Sequence, residues 1–115
     1  MPATPRVLQT WSGRSEFKYV GTVSSGVRIS CGQGFSHDYE MSATELRKAL
    51  TEFSGREVKI GTSRTAPPDG SIGDWVRKAF RKGGIMSYIG PILIEEGYAS
   101  RGSEPDRIRI KTFSN

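Results

Sequence analysis

Between Phe17 and Met41 the chain places a large apolar or aromatic residue at nearly every second position, and two glycine-bearing breaks cut that run into three pieces. Side chains of a strand point alternately to opposite faces, so this period predicts extended chain and excludes a helix. Phe17, Tyr19, Gly21 and Val23 share one face, with Lys18, Val20 and Thr22 on the other. Ser24-Ser25-Gly26 supplies the first turn, because glycine adopts the positive φ of tight hairpins. Val27, Ile29 and Cys31 then alternate with Arg28 and Ser30; Gly32-Gln33-Gly34 makes a second turn, after which Phe35, His37, Tyr39 and Met41 resume. Residues 15–41 are therefore expected to form a three-stranded antiparallel meander. Residues 1–14 carry two prolines and no sustained period, and are expected to be a loose arm anchored by Trp11.

From residue 42 the period changes. Ser42-Ala-Thr-Glu45 is a capping box, in which the serine hydroxyl accepts from the amide three residues on and the glutamate reaches back to the serine amide. Leu46, Ala49, Leu50 and Phe53 follow at helical spacing, and Gly55 marks the stop. Glu57 to Gly61 reads as a short strand, and Thr62 to Gly70 as a loop. Ser71 and Asp74 open a second helix with an apolar stripe at Ile72, Trp75, Val76, Ala79 and Phe80, which places Trp75 in the core; Gly83-Gly84 ends it. Met86 to Glu96 is a third, apolar helix closed by Gly97. Pro91 is tolerated only in a helix's first turn, which leaves the helical start there open. Tyr98 to Arg101, a Gly-Ser-Glu-Pro turn and Arg107 to Phe113 make a closing hairpin. Arg107, Arg109 and Lys111 face one way there, and Ile108, Ile110 and Thr112 the other. The expected fold is α+β, one domain over residues 1–115.

Composition bounds the function classes. Leu, Ile, Val and Phe total 24 of 115 residues, enough for a modest core and just above the roughly 20% below which chains stay disordered. One cysteine, Cys31, closes no internal disulfide, and one histidine, His37, leaves few zinc sites and no serine–histidine triad without it. No signal segment and no long apolar run are visible, so a cytoplasmic protein away from membranes is expected. Seventeen basic residues against twelve acidic ones give a net charge of +5. Residues 1–55 hold six basic and five acidic side chains; residues 56–115 hold eleven and seven, so the anion-binding potential lies in the second half.

The second half resembles a winged helix-turn-helix domain in layout over residues 42–113. The resemblance rests on Ser71-Ile-Gly-Asp-Trp-Val-Arg-Lys-Ala-Phe80, on Tyr88-Ile-Gly-Pro-Ile-Leu-Ile-Glu-Glu-Gly-Tyr-Ala-Ser-Arg101 and on the hairpin Asp106-Arg-Ile-Arg-Ile-Lys111. It implies a third helix in the major groove of duplex DNA and a wing on the backbone. That third helix carries no Lys or Arg and offers only Ser87 and Tyr88 near its start. The expected contacts are therefore mainly to phosphates, through Arg64, Arg81 and Lys82 and through the wing residues Arg101, Arg107, Arg109 and Lys111. Four to six such contacts predict a salt slope of roughly −4 to −5.

Each feature has a plainer reading. Arg77, Lys78, Arg81 and Lys82 occupy the polar face and last turn of a helix, where cations favour the dipole. Arg107, Arg109 and Lys111 would also guard an edge strand against pairing. The apolar third helix closed by Glu95-Glu96 suits a protein partner or a homodimer. Catalysis has weaker carriers. His37-Asp38-Tyr39-Glu40 splits across two strand faces, and Asp38 with Glu57-Val-Lys59 resembles the Asp…Glu-x-Lys pattern of metal-dependent nucleases. No phosphate-binding glycine loop is present, and no cofactor is implied. The function expected first is a non-enzymatic nucleic-acid-binding regulator or accessory factor. A protein-interaction module comes second and a nuclease third.

Overall fold

Apolar side chains at every second position need partner strands beside them and a layer beneath, and the fold supplies both. The computed structural model describes residues 4–114. Its elements are β1 (Arg6–Gln9), β2 (Glu16–Thr22), β3 (Gly26–Cys31), a 3-10 turn (Gln33–Phe35), β4 (His37–Met41), α1 (Ala43–Glu52), β5 (Glu57–Lys59), α2 (Ile72–Phe80), α3 (Met86–Glu95), β6 (Ala99–Arg101) and β7 (Arg107–Ile110). This is the expected α+β class, with an antiparallel sheet β1-β2-β3-β4 and a second sheet β5-β7-β6. Tyr19 sits opposite Ile29 and Val27 opposite Met41. Phe17, Tyr19, Val27, Ile29, Cys31 and Met41 are all buried on the inner face.

The arm is a correction. Arg6–Gln9 is a fourth strand, antiparallel to β2, with Leu8 opposite Phe17 and Arg6 opposite Tyr19. Four residues with one apolar side chain on the inner face are too few to show a period. Residues 1–3 of that arm lie outside the described residues.

Both capping signals form. Ser42 Oγ accepts from the Glu45 amide (3.1 Å) while Glu45 Oε1 accepts from the Ser42 amide (2.9 Å), and Ser71 Oγ accepts from the Asp74 amide (3.0 Å). Along α2 the core-facing line is Ile72 and Val76, both fully buried. Trp75 lies roughly 100° around the helix from Val76, so it is half-buried at the rim rather than inside the core. There it meets Phe53 and Phe80 edge-on at 5.9 and 5.4 Å. The helix also ends earlier than expected, at Phe80, because Arg81 takes a left-handed conformation (φ 60°). Strands β5 and β7 are shorter than expected as well, ending at Lys59 and Ile110.

Pro91 is the sixth residue of α3, beyond the first turn. It has no N–H for the Ser87 carbonyl four residues back, and that carbonyl instead accepts the Trp11 amide at 2.9 Å. The neighbouring Gly90 makes room for the Trp11 ring: a Cβ there would stand 2.8 Å from Trp11 Cε3 and 3.0 Å from Ile60 Cδ1. Trp11 Nε1 donates to the Pro105 carbonyl (3.0 Å), and Arg101 lies 3.9 Å over the ring and donates to the Trp11 carbonyl (2.9 Å). One residue of the expected arm thus ties the first sheet to α3 and to the β6–β7 hairpin.

A second tie closes the other end of α3. Glu96 Oε1 accepts from the Val23 amide and Oε2 from the Tyr19 hydroxyl, both at 2.9 Å, with Arg6 Nη1 3.8 Å from Oε2. Burial first, and then the bond to Glu96, push the Tyr19 hydroxyl up to about 12. One contiguous core draws on both sheets and all three helices. No helix among the described residues is long and apolar enough to cross a membrane.

Candidate nucleic-acid interface

The C-terminal end of α2 meets the edge strand β4 and the 62–70 loop around an open cleft of about 820 Å³. Its lining residues are Tyr39, Glu40, Arg64, Arg77, Lys78, Arg81, Lys82, Gly83 and Ile85. Local sequence explains the convergence. Arg77 and Lys78 fall in the last turn of α2, and the left-handed Arg81 turns the chain toward Gly83. A Cβ on Gly83 would collide with the Arg64 carbonyl oxygen, so glycine lets the loop lie directly on this turn and brings Arg64 to the rim.

The five cations of the cleft are not equivalent. Lys82 Nζ donates to Glu45 Oε1 (2.6 Å) and to the Glu40 carbonyl (2.8 Å), locking the turn after α2 to the cap of α1. Partial burial works to raise the Glu45 carboxyl, but the Lys82 and Ser42 hydrogen bonds outweigh it and hold the group below the usual carboxylate range. Lys78 pairs with Asp74 at 3.1 Å. Among the described residues, Arg64, Arg77 and Arg81 have no carboxylate within ion-pair distance. Three arginines free to take a diffusible anion therefore surround one cleft.

An aromatic pair borders them. Tyr39 is 37% exposed, and with Val7 it makes up the exposed large hydrophobic side chains among the described residues. Its ring stacks on Tyr88 (6.0 Å between centroids, 18° between planes), and Tyr88 in turn meets Phe17 edge-on at 5.3 Å. Burial and the neighbouring Cys31 thiol push the Tyr88 hydroxyl up to about 12, so it stays neutral at physiological pH. A notch of about 30 Å³ lined by Tyr39, Arg64, Gly83, Gly84, Ile85 and Tyr88 extends the cleft beneath this pair.

Of the residues expected at an interface, Arg64, Arg81 and Lys82 line the cleft, and Tyr88 lies at its inner end. Ser87 does not line it, and its carbonyl is taken by Trp11. Arg101, Arg107, Arg109 and Lys111 lie apart from the cleft. Arg101 is stacked on Trp11, and Arg109 Nη2 donates to Glu57 Oε1 at 2.8 Å. Edge protection does not explain the arginines of β7, because β7 is the central strand of its sheet. Tyr39 and Arg77 were not among the expected contacts. The run of basic residues from Arg77 at the helix end was a usable signal, whereas nothing local marks Tyr39.

α3 is packed within the fold. Met86, Ile89, Ile92 and Leu93 are at most 1% exposed and offer a second chain no apolar surface, while Tyr88, Pro91 and Ile94 are half-buried. The nuclease pattern does not assemble either. Asp38 and Glu57 lie in different sheets; Asp38 accepts from Ser30, and Glu57 accepts from Ser103 (2.6 Å) and Arg109. Those two bonds hold the Glu57 carboxyl down at about 2. No group of three His, Cys, Asp or Glu side chains suited to a metal ion occurs among the described residues. Comparisons with protein-family models, with curated proteins and with solved structures found no match.

Proposed function

We propose that this chain is a non-enzymatic nucleic-acid-binding protein that grips phosphates in the cleft between α2, β4 and the 62–70 loop. The observation that carries this reading is the convergence there of Arg64, Arg77 and Arg81, which have no carboxylate partner among the described residues. Guanidinium groups match phosphate oxygens in fork geometry, and unpaired ones release counterions when they bind a polyanion. The order α1, β5, α2, α3, β6, β7 and the sheet order β5-β7-β6 accord with the winged-helix resemblance. Recognition does not run through α3, which has no basic residue and half of whose residues are buried. The grip is to the backbone, and so is independent of base sequence.

Alanine at Arg64, Arg77 and Arg81 together should weaken binding to a labelled oligonucleotide by at least tenfold. Alanine at Arg107 and Lys111, outside the cleft, should change it little. Equal losses from both sets would replace the cleft with a diffuse electrostatic surface.

A further inference from the structure

Phosphate grip alone does not account for Tyr39. An edge-strand aromatic that packs only for stability belongs under cover, yet this ring is 37% exposed and lines the same cleft as the three unpaired arginines. It is also backed: Tyr88 stacks against it, and Tyr88 in turn meets Phe17 edge-on. A backed, exposed aromatic face beside cations is the arrangement on which unpaired bases stack, since every base has a π-face and duplex bases keep theirs covered. A duplex presents phosphates to such a cleft but no free base face.

We infer that Tyr39, seated on Tyr88, is a base-stacking platform, and that the cleft selects single-stranded nucleic acid over duplex. The inference rests on the phosphate-gripping reading above and narrows it. Arg64 belongs to both parts, since it lines the cleft and the notch beneath the aromatic pair. It is placed to hold the phosphate next to the stacked base.

Two single strands of equal phosphate count, an oligothymidine of about 12 nucleotides and the same backbone without bases, and a matching duplex with twice as many phosphates separate the terms. The wild-type protein should bind oligothymidine about 5- to 150-fold more tightly than the abasic strand, the range expected for one stacked base. Tyr39→Ala should lower oligothymidine affinity to the abasic level, while Tyr39→Phe keeps the preference. Equal wild-type binding to abasic and thymidine strands overturns the platform, whatever the variant does. If both bind equally in a salt-sensitive way, the phosphate grip stands and only the platform falls. If no probe binds, both fall.

Discussion

Gly90→Ala should destabilise this protein although the same change in an isolated helix stabilises it. Replacing a helical glycine by alanine contributes about 1 kcal/mol through backbone propensity. Here the added Cβ would stand 2.8 Å from Trp11 Cε3, 3.1 Å from Cζ3 and 3.0 Å from Ile60 Cδ1. The indole cannot move away cheaply, because its residue is held at the Ser87 and Pro105 carbonyls and under Arg101. Overpacking of this kind costs about 1–3 kcal/mol. The net expectation is destabilisation by about 1 kcal/mol, the overpacking cost less the propensity gain. In a Trp11→Ala background the clash with the ring is gone and only the flexible tip of Ile60 remains, so Gly90→Ala should become neutral or stabilising. Trp11→Ala itself should cost about 3–5 kcal/mol, which a chain of this length survives at roughly 0.05–0.15 kcal/mol of stability per residue. Urea unfolding followed by far-UV circular dichroism on the four proteins gives the coupling, expected at about 1–3 kcal/mol. If Gly90→Ala stabilises the wild type by its full helical propensity and the cycle shows no coupling, Trp11 is not seated on α3 as described.

Two further perturbations probe the second sheet and the cleft. Glu57 takes up its proton near pH 2 in the fold against an ordinary value of 4.5. Its contribution to stability is complete above about pH 4.5 and is lost as the pH falls toward 2. Glu57→Gln should therefore flatten the acid limb of the stability curve in that window, and a limb as steep as the wild type's would contradict the Ser103 and Arg109 bonds. Gly83→Ala should push the Arg64 backbone off the turn and weaken oligonucleotide binding several-fold with secondary structure retained; circular dichroism and a binding titration check both, and unchanged affinity would remove Arg64 from the cleft.

Most of the fold was legible because its signals are local. Period-two alternation located β2, β3 and β4, and the serine caps at Ser42 and Ser71 located the starts of α1 and α2. β1 was not legible, since its place depends on the free edge of β2 and on Trp11 reaching Ser87 across the molecule. Pro91 left the start of α3 open for the same reason: the donor that satisfies the Ser87 carbonyl, Trp11, lies 76 positions from it in sequence. The site was half legible. Basic residues at the end of α2 stand out, but Lys82 turns inward to Glu45, a pairing set by tertiary packing. Arg109 likewise belongs to Glu57 across the sheet, and Tyr39 reads as an ordinary inner-face residue until the sheet is seen to end beside it.

The account's central claim is that three cleft arginines bind nucleic-acid phosphates, and the salt dependence of affinity tests it most directly. Three contacts predict a slope of log K against log salt of roughly −2 on single strands and about −3 on duplex, shallower than an interface that also engages the β6–β7 hairpin. Arg81→Ala should reduce the magnitude of that slope by about 0.7 on single strands. A slope near zero, or one that Arg81→Ala leaves unchanged, would contradict the claim.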